Sequence, residues 1–147
     1  MLLSLNSTSM PLGLVSLFSK NWLFLPRNIS DHKLTRSQIL QRKERIAKLV
    51  AIGEFESAFL SLWIFAEILL RRYARQALIP VDRLPTVLML HHLHDQEQIS
   101  TKQFVRTMAL SEIRNRVAHG FEVKSPLNDA IERLLSLVDE FITMQKT

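Results

Sequence analysis

A short polar run near the C-terminal end of the chain, Ser111–Phe121, carries the side chains best suited to chemistry. Apolar residues recur through this run at helical spacing, which predicts a helix with one face on a core. Arg114, Asn115 and His119 lie on that helix, and Gly120 is a natural helix stop. The sequence thus brings an arginine, an amide and a histidine to the end of one helix.

The spacing of these side chains decides how they can act together. Asn115 and His119 are four residues apart and share one face of a helix. Arg114 and His119 are five residues apart and point away from each other on an ideal helix. We therefore expect Arg114 and His119 to meet at one phosphate only if the helix ends there, or if a second subunit supplies a second copy of the motif.

A histidine and an arginine at one phosphate would suffice to cleave RNA without a metal ion. Histidine side chains titrate near neutral pH and can take the proton of a ribose 2′-hydroxyl. Arginine can hold the phosphate and stabilise the charge that develops on its oxygens. The predicted reaction is an intramolecular transesterification that leaves a 2′,3′-cyclic phosphate and a free 5′-hydroxyl. It requires neither a metal nor an organic cofactor.

The run Arg114-Asn115-Arg116-Val117-Ala118-His119 resembles the Arg-x(4–6)-His signature of the HEPN superfamily, in which Asn often follows the Arg. The resemblance covers roughly Thr35 to Lys146. It implies a small helical bundle, frequently a homodimer, of a kind that often acts as a metal-independent ribonuclease in toxins or defence effectors. It also implies that Arg114 and His119 are the catalytic pair, that Asn115 supports them, and that two motifs meet in a cleft between subunits.

Two positions beside the signature bear on partners. Arg116 is not part of the family pattern and is predicted to contact RNA only as an accessory. Some HEPN toxins carry Tyr two residues after the His, and a nucleotidyltransferase antitoxin modifies it. This chain has Phe121 there, which puts control by such an antitoxin partner in doubt.

A second interpretation of the motif assigns it no catalysis. Arg114 could pair with an acidic residue of a neighbouring helix, and His119 could complement the dipole at a helix C-terminus. The chain would then be a catalytically silent, HEPN-like module that dimerises or binds RNA and derives from a larger protein.

Composition limits the class of protein. A chain of 147 residues fits one domain with a real core, and 47% hydrophobic residues with only 3 Gly disfavour disorder and loop-rich β folds. Cys is absent, so there is no disulfide framework and no thiolate nucleophile, which suits a cytoplasmic protein. The net charge of +5 permits binding to nucleic acid or to anionic lipid.

Helical periodicity and capping signals predict an all-α fold, a four- to five-helix up-and-down bundle over residues 31–147. Capping-box spacing opens one helix at Thr35 and another at Ser100. Between them we expect a long buried helix from Glu54 to about Ala77 and a short one over Thr86–His94. The last helix is predicted to begin with Ser125 as its N-cap and Pro126 as its first residue.

Two groups of basic residues could contact RNA. The stretch from Arg27 to Lys48 holds seven basic residues against two acidic ones, and it is either a solvated helix face or a surface that contacts phosphates. Arg71, Arg72 and Arg75 end the long helix. They are predicted to bind RNA if they lie near His119, and otherwise only complement the helix dipole.

Two remaining features give weaker signals. His91, His92 and His94 suggest a metal site, but neither Cys nor a clearly placed pair of carboxylates accompanies them, so no metal is predicted. Residues 1–30 form an irregular apolar segment, in which Trp22-Leu23-Phe24-Leu25 could be a short strand or a piece that docks on the bundle. The segment could also be a remnant of an upstream domain or the result of an incorrectly chosen start. Lys20 and Asn21 divide this segment, so no membrane span is expected.

Overall fold

The computed structural model describes residues 34–81 and 83–145, and the regular structure in these residues is entirely helical. The helices are α1 Arg36–Ala51, α2 Phe55–Gln76, α3 Thr86–Asp95, α4 Thr101–Ala118 and α5 Leu127–Met144. No strand occurs in the described part of the chain. The predicted all-α fold is confirmed, whereas the segment 1–30 lies outside the described residues.

Helix α2 is the centre of the bundle because it is apolar on nearly every side. It contacts each of the other four helices. Phe59, Leu62 and Phe65 are fully buried, and Trp63 is 1% exposed. A helix with buried side chains around most of its circumference needs neighbours on several sides, and the other helices provide them.

Helix α4 runs antiparallel to α5, and its beginning lies near the end of α2. Gln103 and Arg106, early in α4, both donate hydrogen bonds to Glu140, late in α5. The hydroxyl of Tyr73, near the end of α2, donates to the side-chain oxygen of Gln98 just before α4, at 3.3 Å. The last turn of α4 is therefore at the far end of the bundle from the last turns of α2.

The two predicted capping boxes are confirmed. The Thr35 hydroxyl accepts from the backbone N–H of Gln38, and the Gln38 side chain accepts from the Thr35 N–H. Ser100 and Gln103 make the same reciprocal pair at 3.0 Å each. Each box satisfies two backbone donors that a helix N-terminus leaves without a partner.

The predicted start of the last helix is wrong by one residue. Pro126 is the N-cap and α5 begins at Leu127, with no side-chain hydrogen bond at the cap. The proline ring fixes φ near −59°, but ψ at Pro126 is 133°, which is extended backbone. Its carbonyl accepts the first helical bond from Ala130, so Ser125 lies outside the helix.

Helices α1 to α4 share one type of C-terminal turn. In each, the residue two past the last helical one has positive φ: Gly53, Leu78, Glu97 and Gly120. The next residue then donates its N–H to a carbonyl five residues back, as Ile79 does to Ala74 at 2.9 Å. This is the Schellman arrangement, and glycine fits its left-handed position without strain.

We predict that Leu78→Gly stabilises the protein. Leu78 has φ 63° and a side chain that is 90% exposed, so it bears conformational strain and contributes little packing. Glycine removes the strain of the left-handed backbone, although its greater freedom in the unfolded chain offsets part of the gain. The free energy of unfolding should therefore rise by about 0.5–1 kcal/mol. Urea unfolding measures this. Leu78→Ala is the control, and an equal gain from alanine would show that strain is not the cause.

Candidate functional site

Arg114, Asn115 and His119 lie on and just after the last turn of α4. The buried side chains of Leu110 and Val117, 1% and 8% exposed, hold that turn on the core. The predicted buried face is thus confirmed at these two positions. The Arg114 side chain is half-buried, while Asn115 and His119 are exposed.

The helix ends where the sequence predicts it. Ala118 is the last helical residue, His119 is the C-cap, and Gly120 takes φ 72°. The N–H of Gly120 donates to Val117 at 3.1 Å and that of Phe121 donates to Arg116 at 2.8 Å. These two bonds make a Schellman turn, which holds the backbone at His119 in one conformation.

We predict that Gly120→Ala destabilises this turn without a steric clash. A Cβ atom at Gly120 would meet nothing within 4 Å, so the cost comes from the left-handed backbone alone. The expected loss is about 1–2 kcal/mol in the free energy of unfolding. Gly120→Asn should lose less, since asparagine tolerates this conformation better. Thermal unfolding of the two variants measures the order, and equal losses would contradict the explanation.

Hydrogen bonds orient the two arginines of the motif. Arg114 Nη1 donates to the side-chain oxygen of Asn115 at 3.0 Å. Arg116 Nε donates to the backbone carbonyl of Glu122 at 3.0 Å and so braces the loop after the helix. Asn115 therefore contacts Arg114 within the last turn of α4.

The end of α4 does not turn His119 toward Arg114. His119 has φ −95° and ψ 5°, close to helical geometry, and its N–H still donates to the Asn115 carbonyl at 3.1 Å. Five residues of helix rotate a side chain by about 140° and advance it by about 7.5 Å. Within one chain, Arg114 and His119 therefore point in different directions, as the ideal-helix argument predicts.

Phe121 is the aromatic neighbour of the histidine. Its ring centroid lies 6.1 Å from that of His119, with the planes tilted by 38°. The Phe121 side chain is 63% exposed. An exposed imidazole and an exposed aromatic ring thus lie side by side at this end of the bundle.

Arg71, Arg72 and Arg75 are not close to His119 within the chain. They flank Tyr73, which contacts Gln98 just before α4. Helix α4 has 18 residues, so its two ends are about 27 Å apart. An approach of these arginines to the motif would therefore require a second copy of the chain.

Arg71 has a local set of partners that sequence reasoning missed. Its guanidinium donates to the backbone carbonyls of Val81 and Leu84, at 2.9 and 3.0 Å. Glu67, four residues before Arg71 on α2, forms no ion pair with it. The Glu67 carboxylate accepts instead from the indole N–H of Trp63 at 2.6 Å and from the hydroxyl of Thr86 at 2.9 Å. Together these bonds fasten the connector between α2 and α3 onto α2.

The histidines of α3 contact an aromatic ring. His94 stacks on Phe104 with centroids 4.6 Å apart, and His91 meets the same ring edge-on at 5.0 Å. One ring nitrogen of His94 is 3.1 Å from the hydroxyl of Thr101. Across the described residues, no three His, Cys, Asp or Glu side chains are grouped so as to hold a metal ion.

Arg106 of α4 and Glu140 of α5 form an ion pair at 2.7 Å beside an open groove. Burial raises the pKa of Glu140, but hydrogen bonds from Arg106 and Gln103, with the charges of Arg106 and Lys102, outweigh it and lower that pKa overall. The groove has a volume of about 670 Å³. It is lined by Arg106, Ser125, Pro126, Asp129, Glu132, Arg133 and Ser136. Its charges of both signs give it no clear preference for an anion.

Comparisons with known proteins identify no relative of this chain. No protein-family model, no curated protein and no solved structure matches it. Among the described helices, none combines the length and the apolar character needed to cross a bilayer.

Proposed function

We propose that this chain is a metal-independent endoribonuclease of the HEPN type that acts as a toxin or defence effector. The observation that carries the proposal is the arrangement at the end of α4. Arg114 is held by Asn115 at 3.0 Å, and the exposed His119 is the C-cap of the same helix. The resemblance of this motif to the HEPN signature supplies the reaction.

His119 takes the proton of the ribose 2′-hydroxyl as the 2′-oxygen attacks phosphorus. The bond from phosphorus to the 5′-oxygen breaks, and the 5′-oxygen leaves with a proton from water or from a second, protonated histidine. Arg114 donates hydrogen bonds to the non-bridging phosphate oxygens, where negative charge develops. The products are a 2′,3′-cyclic phosphate and a 5′-hydroxyl.

A second copy of the chain completes the proposed site. Arg114 and His119 of one chain diverge by about 140° around the helix axis, so one chain does not present both to a single phosphate. Two α4 ends facing each other would bring the arginine of one subunit opposite the histidine of the other. Phe121, 63% exposed beside His119, offers apolar surface for such a contact.

RNA cleavage by the purified protein in EDTA tests this proposal. We expect cleavage products that carry cyclic phosphate and 5′-hydroxyl ends, with no requirement for added metal. Products with 5′-phosphate ends, or activity that EDTA removes, would contradict the mechanism.

A folded, dimeric protein that cleaves none of several RNAs would favour the alternative function. In that case the chain is a catalytically silent HEPN-like module for dimerisation or RNA binding. Sedimentation velocity and circular dichroism, recorded on the sample used for cleavage, separate this outcome from misfolding.

A further inference from the structure

Helix α1 concentrates positive charge that the proposed catalytic site does not use. It has five basic residues and one acidic residue, a net charge of +4. The rest of the described chain has ten basic and eleven acidic residues, a net charge of −1. The net positive charge of the described residues thus resides in this one helix.

The packing of α1 on the bundle leaves part of this charge exposed. Ile46, 3% exposed, faces the core, and the Arg42 guanidinium lies over the Phe65 ring at 5.5 Å. Lys43 pairs with Asp139 of α5. These three side chains attach the helix, so its other basic residues are not needed for docking.

Arg45 and Lys48 form an exposed pair on the same side of α1. They are three residues apart, which places them on neighbouring positions of the helix surface. With Gln41 and Glu44 they line a shallow concavity of about 240 Å³. Within residues 34–81 and 83–145, neither cation makes an ion pair.

The cations of α1 also repel one another. Burial and, next, the positive charge of Arg45 lower the pKa of Arg42. The guanidinium remains charged, since its ordinary pKa is far above neutrality. Like charges in this helix therefore oppose each other, and a bound anion would relieve that repulsion.

We infer that Arg45 and Lys48, with Gln41 beside them, bind the phosphate backbone of RNA at a surface separate from the α4 motif. The choice of RNA as the polyanion rests on the proposed ribonuclease function. The surface suits a backbone because α1 exposes no aromatic side chain on which a base could stack. Binding at this surface is therefore independent of sequence and sensitive to salt.

A lipid bilayer fits this surface less well than RNA does. Helices that lie in a membrane interface present a broad apolar face of Trp, Phe and Leu side chains. The large apolar side chains that α1 and its C-cap expose are Leu40 and Ile52. They are twelve residues apart, which separates them by about 18 Å along the helix axis.

The test is fluorescence anisotropy with a fully 2′-O-methylated RNA of about 20 nucleotides, longer than the site of a typical single-strand binder. This RNA has no free 2′-hydroxyl and cannot be cleaved, so binding is measured whether or not the chain is a ribonuclease. We expect the double variant Arg45→Gln/Lys48→Gln to bind about tenfold more weakly at low salt. The slope of log affinity against log salt should fall in magnitude by about 1 to 1.5, the loss of two phosphate contacts.

Two further variants show whether a loss of affinity comes from this surface, from the lower net charge or from misfolding. Arg36→Gln/Arg133→Gln removes the same charge from exposed positions elsewhere, since Arg36 is on the opposite side of α1 from Arg45. It should lose much less affinity. Glu44→Gln removes the one carboxylate at the concavity and should tighten binding about twofold, a gain that unfolding cannot produce.

Three results would overturn the inference. They are no binding of this RNA by the wild type, equal losses in the two double variants, or binding to phosphatidylserine vesicles with none to RNA. A failure of the protein to cleave RNA would not by itself contradict the inference, because the anisotropy measurement uses no catalytic step.

Discussion

His119→Ala and Arg114→Ala are each expected to reduce RNA cleavage by at least about 100-fold, because each removes one of the two groups that the proposed reaction needs. Loss of a general base typically costs 100- to 10,000-fold in rate, and loss of a donor to the developing phosphate charge about 100- to 1,000-fold. The measurement is the initial rate of cleavage of one end-labelled RNA in EDTA.

The fold should survive the His119→Ala change. The histidine side chain is exposed, and its contribution to the end of α4 comes through its backbone N–H, which alanine retains. We expect unchanged thermal unfolding within about 0.5 kcal/mol, as for other surface substitutions. Arg114 is half-buried, so its variant should be judged by the rate at a temperature well below its own transition.

Arg116→Gln is the matched control in the same turn. Arg116 is exposed and donates a hydrogen bond to the Glu122 carbonyl. Because Arg116 is proposed only as an accessory to RNA binding, the Arg116→Gln variant should bind RNA modestly more weakly. Its maximal rate of cleavage should be nearly unchanged. A loss of rate equal to that of His119→Ala would instead assign catalysis to a different set of residues than the signature implies.

Mixing the two inactive variants tests whether the site is composite. If Arg114 of one subunit works with His119 of the other, a heterodimer of Arg114→Ala and His119→Ala contains one intact arginine–histidine pair. We expect the mixture to recover part of the wild-type rate after subunit exchange. A mixture as inactive as its components would contradict the two-subunit site, whereas the single variants would still assign the residues.

The start, the end and the buried face of α4 were predictable because each depends on residues that are close together in the sequence. Gly120 signals a left-handed turn, the Ser100 and Gln103 pair signals the helix start, and the apolar spacing between them predicts the buried face. Each of these depends on residues within one or two turns of helix. The same holds for the capping box of α1.

The start of α5 and the role of Arg71 could not be predicted in the same way. The φ angle that proline imposes at Pro126 suits both an N-cap and a first helical residue. The ψ angle distinguishes these two positions, and the rest of the fold determines ψ. Arg71 lies four residues after Glu67, a spacing that favours a pair on an isolated helix. In the folded chain, Thr86 and the connector carbonyls compete for these groups across 10 to 19 residues of sequence.

Arg71→Met is expected to lower the free energy of unfolding by about 2–4 kcal/mol, because two carbonyls of the connector lose a charged donor. The connector between α2 and α3 contains Pro80 and Pro85, which have no backbone N–H to offer. Its side chains Ile79 and Val81 are 3% and 1% exposed, so the chain here is packed against the core. The Val81 carbonyl also accepts from the Leu84 N–H at 3.2 Å, whereas the Leu84 carbonyl accepts from Arg71. A buried carbonyl needs a donor, so loss of Arg71 affects the Leu84 carbonyl most.

Arg71→Lys separates the guanidinium geometry from its charge. Lysine retains the positive charge but lacks the planar fork that donates to Val81 and Leu84 together. It should therefore recover only part of the lost stability, while Arg133→Met, an exposed arginine on α5, should change it by less than about 0.5 kcal/mol.

Thermal unfolding is the measurement for Arg71, with a shift of roughly 10 °C expected for the methionine variant. RNA binding by Arg71→Met, measured well below its transition, then tests the role that the sequence suggested for this arginine. Lower affinity with unchanged stability would mean that Arg71 contacts RNA and is dispensable to the connector. Lower stability with unchanged affinity would mean that the arginine acts within the fold, through its hydrogen bonds to the two connector carbonyls.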